Sequence, residues 1–250
     1  MKKTIISCVL FLTAVTAFSQ TPMKTAAEAK LSASDLAVKI ADRILATTTY
    51  EFKNTKTGKT YKSVKNLPLD MNVKVACKYN NWHYTNGVTH IALMELADKT
   101  GAKKYDDYVL KNMNFVFNEG NLDFFKKQYE QAMKNEGWYG VRKLSWHMIF
   151  RGKRLDDNGP MGASLIDLQI KHPNNSFLNY INETAEHLNY GEPRLADGTI
   201  ARIWPHENTI WADDAFMAIS FLARMAKMTG DMSYICLLYT SPSPRDTERS

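Results

Sequence analysis

Asp214-Ala-Phe-Met-Ala-Ile-Ser-Phe-Leu-Ala-Arg-Met-Ala-Lys-Met228 is an apolar run at helical spacing that stops at Thr229-Gly230, with Tyr234 four residues beyond the glycine. Glycine just past the last periodic residue is the expected left-handed end of a helix, and the aromatic falls in the first turn of whatever follows. The same grammar occurs twice upstream. Met161 to Lys171 stops at His172-Pro173 with Phe177 four beyond the proline, and Thr89 to Lys99 stops at Thr100-Gly101 with Tyr105 four beyond the glycine. Helix pairs that recur in this way bury their apolar faces by stacking on their neighbours. No run of alternating, β-branched residues competes, so the predicted class is all-α. The leading architecture is a closed (α/α)6 toroid of helical hairpins, of which this chain would carry about half. Upstream, Ser32 or Ser34 can cap a helix through Leu36, Ile40, Ile44 and Leu45, while the polar stretch Lys53 to Leu69, with Gly58 and Pro68, is predicted to be a long loop.

The two ends of the chain read differently from its middle. Lys2 and Lys3, the apolar run Ile5 to Phe18, and the small residues Ala17 and Ser19 form an export signal over 1–19, which predicts a periplasmic or secreted protein beginning at Gln20. That run is too short to span a bilayer comfortably, and no membrane anchor is expected. Residues 236–250, from Cys236-Leu-Leu-Tyr-Thr-Ser-Pro-Ser-Pro-Arg-Asp246 onward, match the translation of a transposase-type sequencing adapter and are expected to be foreign to the protein. The expected catalytic domain is therefore 20–235, a partial (α/α) barrel. With Cys8 and Cys236 set aside, Cys77 stands alone and no intrachain disulfide is expected. Setting aside Lys2, Lys3, Arg245, Arg249, Asp246 and Glu248 lowers the formal charge from +6 to +4, too mild and too dispersed to suggest nucleic acid as a partner. The oligomeric state is not legible.

Two segments carry the chemistry: Arg154-Leu-Asp-Asp-Asn-Gly-Pro-Met-Gly162 and Ile210-Trp-Ala-Asp-Asp-Ala-Phe-Met217. Each places doubled aspartates in a loop before an apolar helix. One aspartate there would cap the helix and favour its dipole. A second is surplus to that need, and Arg154, Trp204, His206 and Trp211 nearby suit a sugar. Carboxylates close together cannot both ionise cheaply, so one holds a proton while the other stays charged, which is the equipment for glycosidic cleavage. Metal and other nucleophile patterns are weaker. His206-Glu207 lacks a second histidine at helical spacing, and His83 and His90 read as loop and helix-surface residues, so no metal or cofactor is expected. Trp138, Tyr139 and Trp146 can line a cleft or pack a core.

Together with Trp82-His-Tyr-Thr-Asn-Gly87, these segments resemble the unsaturated uronyl hydrolases, glycoside hydrolase families 88 and 105, over about Ala76 to Tyr234. The resemblance implies an (α/α)6 barrel that removes a 4,5-unsaturated uronic acid from the non-reducing end of lyase-generated oligosaccharides. It implies Asp213, with Met217 four beyond it, as the general acid and base that protonates C4 and helps water add at C5. It maps the second aspartate to Asp157, with Asp156 the one-residue alternative, and leaves Asp214 as the helix cap. Trp211, His206, Arg154, Trp82 and Asn86 are the expected substrate-binding residues. The alternatives are a conventional two-carboxylate glycosidase or lyase on the same fold, and a non-catalytic glycan-binding toroid.

Overall fold

Three of the helices lie side by side in the same direction, and each is followed by a partner that returns. The fold is described from a computed structural model over residues 32–151, 154–203 and 205–239. The expected export signal, and the 240–250 part of the expected foreign segment, lie outside these residues. In chain order the elements are α1 (Ala33–Thr47), β1 (Phe52–Asn54), β2 (Thr60–Tyr61), β3 (Val73–Val75), α2 (Tyr84–Thr100), α3 (Lys104–Phe117), α4 (Glu119–Val141), α5 (Met148–Arg151), α6 (Leu155–Lys171), α7 (Asn175–Glu186), a π turn (His187–Gly191), α8 (Ala212–Thr229) and α9 (Ser233–Tyr239). No helix among the described residues is long and apolar enough to cross a membrane.

The chain divides into two compact units, residues 1–40 and 41–250, with the boundary inside α1. In the first, Ser32 rather than Ser34 caps α1. Its Oγ accepts from Asp35 N at 3.1 Å, and the Asp35 carboxylate accepts from Ser32 N at 3.2 Å, a reciprocal box that satisfies two end groups.

In the second unit the expected hairpins form. α2 and α8 end on Gly101 and Gly230, both left-handed at φ 72° and 76°, and each glycine N–H bonds the carbonyl four residues back. α6 ends at His172, just before Pro173, and Asn174 caps α7 by accepting from Ser176 N at 2.8 Å. The three inner helices α2, α6 and α8 pack through glycine. A Cβ on Gly87 would lie 2.3 Å from the Pro160 carbonyl carbon, and one on Gly159 would lie 2.6 Å from Met217 O. Further along, Lys171 meets Asp98 at 2.9 Å and Arg224 meets Asp167 at 2.7 Å. Contacts that advance together along each pair make these helices parallel, with their N-termini at one end. The core between them is apolar and includes Met161, Leu165, Ile166, Phe177, Phe221 and Leu222.

Two expectations change here. Lys53 to Leu69 is not simply a loop: β1 pairs antiparallel with both β2 and β3 in a three-stranded sheet of order β2-β1-β3. Its inner side chains Phe52, Val73 and Val75 are buried, and Phe52 packs on Phe115, Phe124 and Phe125. Three-residue strands are too short for alternation to register, and their pairing spans the polar stretch. His90 is buried rather than on the helix surface; desolvation lowers its pKa to about 4. The last helix, α9, spans Ser233–Tyr239, and Leu237 packs against the core.

Candidate active site

Because α6 and α8 are parallel, the two aspartate segments meet at the same end of the helix stack. Asp156 and Asp157 lie in the first turn of α6, and Asp213 and Asp214 in the first turn of α8, where the helix dipole favours negative charge. Both helices begin earlier than the sequence suggests. Asn158-Gly159-Pro160 has the composition of a turn, yet it is helical and buried, with Gly159 against Met217 of α8.

Asp214 is not the cap. Trp211 occupies that position and makes no side-chain cap bond. The Asp214 carboxylate instead accepts two bonds from Arg202, from Nε at 2.5 Å and from Nη2 at 2.6 Å. Planar two-point pairing of this kind fixes geometry as well as charge. Arg202 comes from the crossing segment between the π turn and α8, which is held by antiparallel bridges Arg194↔Ile200 and Arg202↔Thr209. Its guanidinium stacks over the Trp211 ring at 4.1 Å and also lies 3.5 Å from Asp156 and 4.0 Å from Asp213. One arginine thus draws together three carboxylates from two helices. Its bonds to Asp214 hold it more firmly protonated than an ordinary arginine.

Asp157 sits in the wall behind this cluster. It is 3 % exposed and pairs with Arg151 Nε. Burial pushes its carboxyl above the ordinary carboxylate range, with Arg151 opposing that rise. It is therefore Asp156, the alternative, that reaches Arg202 alongside Asp213.

The cluster borders a cavity of about 550 Å3, lined by Arg154, Asp156, Arg202 and Asp214 together with His187 and Glu192. Trp138 also lines it, re-aimed by the left-handed Gly137 (φ 59°) that interrupts α4, whereas Trp146 is 1 % exposed in the core. Arg154 is the N-cap residue of α6. Trp211 is 40 % exposed, and His206 is exposed in the turn that joins Arg202 to Thr209. Trp204 lies outside the described residues.

Trp82 and Asn86 lie beneath the site, not in it. Trp82 is fully buried, in edge contact with Tyr180, and its Nε1 donates to the Asp157 carbonyl at 2.8 Å. With no exposed face it cannot stack on a sugar; it holds the first turn of α6. Both Asn86 N–H groups are engaged, with the carbonyls of Lys78 and Asn81 at 2.9 and 2.8 Å, so Asn86 anchors the entry to α2.

Arg202, Arg151, His187 and Glu192 were not expected at the site. No motif in the sequence marks them: Arg202 and Arg151 are defined by partners on other elements, and His187 and Glu192 meet only through the π turn. Burial, and next the charge of Asp214, push the Glu192 carboxyl up to about 7. Among the described residues no group of three or more His, Cys, Asp or Glu side chains is arranged to hold a metal ion.

Comparison with curated proteins finds no match. Comparison with protein-family models matches Glycosyl Hydrolase Family 88 over residues 55–240, a span that takes in β2 and β3, all three inner helices, both aspartate pairs and Arg202. With most of its length matched, the chain belongs to Glycosyl Hydrolase Family 88, a family of hydrolases acting on carbohydrates.

Proposed function

We propose that the protein removes a 4,5-unsaturated uronic acid from the non-reducing end of oligosaccharides left by polysaccharide lyases, by hydrating the enol ether. It does so after export, on an (α/α)6 barrel of which these helices form about the first half. The observation that carries this reading is the division of labour around Arg202. Asp214 is locked by two bonds to that arginine and Asp157 is buried against Arg151, whereas the Asp213 side chain is 54 % exposed. Asp213 is the carboxyl with room to exchange a proton with a bound sugar.

In this reading protonated Asp213 gives its proton to C4. Positive charge then develops at C5 and the ring oxygen, and the Asp213 carboxylate takes a proton from the water that bonds to C5. The hemiketal so formed opens, and the aglycone leaves from C1 with a proton. The anomeric carbon is never attacked. The carboxylates of Asp156 and Asp214 face the developing positive charge, Arg154 and Arg202 attract the uronate, and Trp211 and His206 flank the mouth.

The test follows the ultraviolet absorbance of the 4,5 double bond when enzyme meets lyase-generated oligosaccharide. Loss of absorbance is expected, and Asp213→Asn should slow it by about a hundredfold or more, the scale of general acid–base catalysis. Turnover of saturated glycosides with the double bond untouched would point to a conventional glycosidase. Undiminished hydration by Asp213→Asn would remove Asp213 from its role.

A further inference from the structure

We propose that Glu192, backed by His187, is a specificity-determining residue of the cavity, whose carboxyl governs whether the wall around Arg202 admits or repels an anionic sugar. This rests on the reading of the substrate as a uronate.

The geometry starts with the π turn. π-helical turns are rare and tend to occur at functional sites. This one closes with Glu192 N bonding the His187 carbonyl at 2.9 Å, which brings residues 187 and 192 onto one side. Gly191 makes room for the imidazole: a Cβ there would lie 2.5 Å from His187 Nδ1. With the ring laid against the turn, its Nε2 is 2.9 Å from Glu192 Oε2. The Glu192 side chain is only 7 % exposed, yet both residues line the cavity.

Charged groups act on Glu192 from three elements, and Arg151 and Arg154 line the same cavity. Asp156 approaches from α6, Asp214 from α8, and Arg194 and Arg202 from the crossing segment. Both arginines are already committed. Arg194 donates to the carbonyls of Gly198 and Leu188 at 2.8 and 2.9 Å, and Arg202 is bound to Asp214. A buried carboxyl facing two carboxylates, with the nearby guanidiniums engaged elsewhere, keeps its proton most readily of the group. His187 Nε2 stands 2.9 Å from that carboxyl. While Glu192 is neutral it adds no charge to the wall that Arg154 and Arg202 share with Asp156 and Asp214. Once Glu192 ionises, the wall gains a negative charge that weakens binding without touching the reacting carbons. The desolvated carboxyl, pushed up to about 7, makes this change near neutral pH.

The experiment compares KM and kcat for an unsaturated uronyl disaccharide and for its methyl ester at about pH 6 and about pH 8, in the wild type and in Glu192→Gln. For the free uronate the wild-type KM should rise roughly three- to tenfold with pH, the effect of one unit charge a few ångströms away in a partly solvated site. The rise should be absent for the ester and absent in Glu192→Gln. An equal rise with the ester, or an undiminished rise in Glu192→Gln, overturns the proposal. If Glu192→Gln fails to fold, the acid-against-ester comparison in the wild type decides alone. Absence of hydration at every pH would refute the uronyl reading; calorimetric binding of galacturonate to the wild type at the same two pH values then tests Glu192 by itself. A pH-independent Kd overturns the proposal, and a weakening at the higher pH supports it.

Discussion

Replacing Gly159 by alanine sets two opposite expectations against each other. In a helix interior, alanine is favoured over glycine by about 1 kcal/mol, so helix propensity alone predicts stabilisation. The tertiary contact predicts the reverse. The new Cβ would sit 2.6 Å from Met217 O and 2.9 Å from the Met217 carbonyl carbon and Cβ, so α6 and α8 must part. Overpacking of a close contact costs about 1–3 kcal/mol, and here most of the struck atoms are backbone and cannot swing aside, which places the cost at the top of that range. Less the propensity gain, the net loss is about 2 kcal/mol, or a Tm lower by about 4–8 °C for a chain of this size. The measurement is thermal unfolding followed by circular dichroism. Gly87→Ala should cost more, because its Cβ would meet Pro160 and Met161 backbone atoms at 2.3 and 2.4 Å. Parting the helices should also lengthen the Asp156–Arg202 contact, so surviving enzyme should lose activity. An unchanged or raised Tm for Gly159→Ala would refute the close approach, and with it the argument that this contact aligns the two aspartate segments.

Other outcomes are expected beyond those already set out for Asp213 and Glu192. His90 is buried and its pKa lowered to about 4, so the unfolded chain takes up its proton first as the pH falls. Stability held by neutral His90 is full above about pH 6.5 and falls by about 3 kcal/mol on descent to about pH 4. In His90→Leu, denaturant midpoints over that window should vary less, and an unaltered acid slope would count against the burial. Trp82→Phe removes the donor to the Asp157 carbonyl and part of a fully buried ring, and should cost about 2–3 kcal/mol in chemical denaturation. A cost below about 0.5 kcal/mol would show that the indole does not hold the first turn of α6.

Much of the helical fold was legible because its signals are local. A glycine whose φ must be positive, a proline that cannot continue a helix, and an aromatic one turn later all act within a few residues, and Gly101, Pro173 and Gly230 stand where such stops belong. The strands were hidden for the opposite reason, since Phe52 meets Val75 only after the chain has passed through twenty-odd residues of polar sequence. The Asn158-Gly159-Pro160 segment misled because burial against α2 and α8 overrides a turn-like composition.

The sequence by itself determined where chemistry could reside: doubled aspartates ahead of apolar helices, a pattern repeated on α6 and α8. It could not assign roles within each pair. Neighbouring residues on a helix point about 100° apart, so which aspartate faces the cavity depends on what stands opposite. Tertiary structure set the surroundings of each by bringing Arg202 across from a separate segment, where it binds Asp214 on the cavity lining, leaves Asp213 exposed and reaches Asp156 instead of Asp157. It also buried Trp82 and Asn86 under the site and put Glu192 on its wall. An ion pair between elements depends on helix register, and register here is set by contacts such as Gly159 on Met217 that no short stretch of sequence contains.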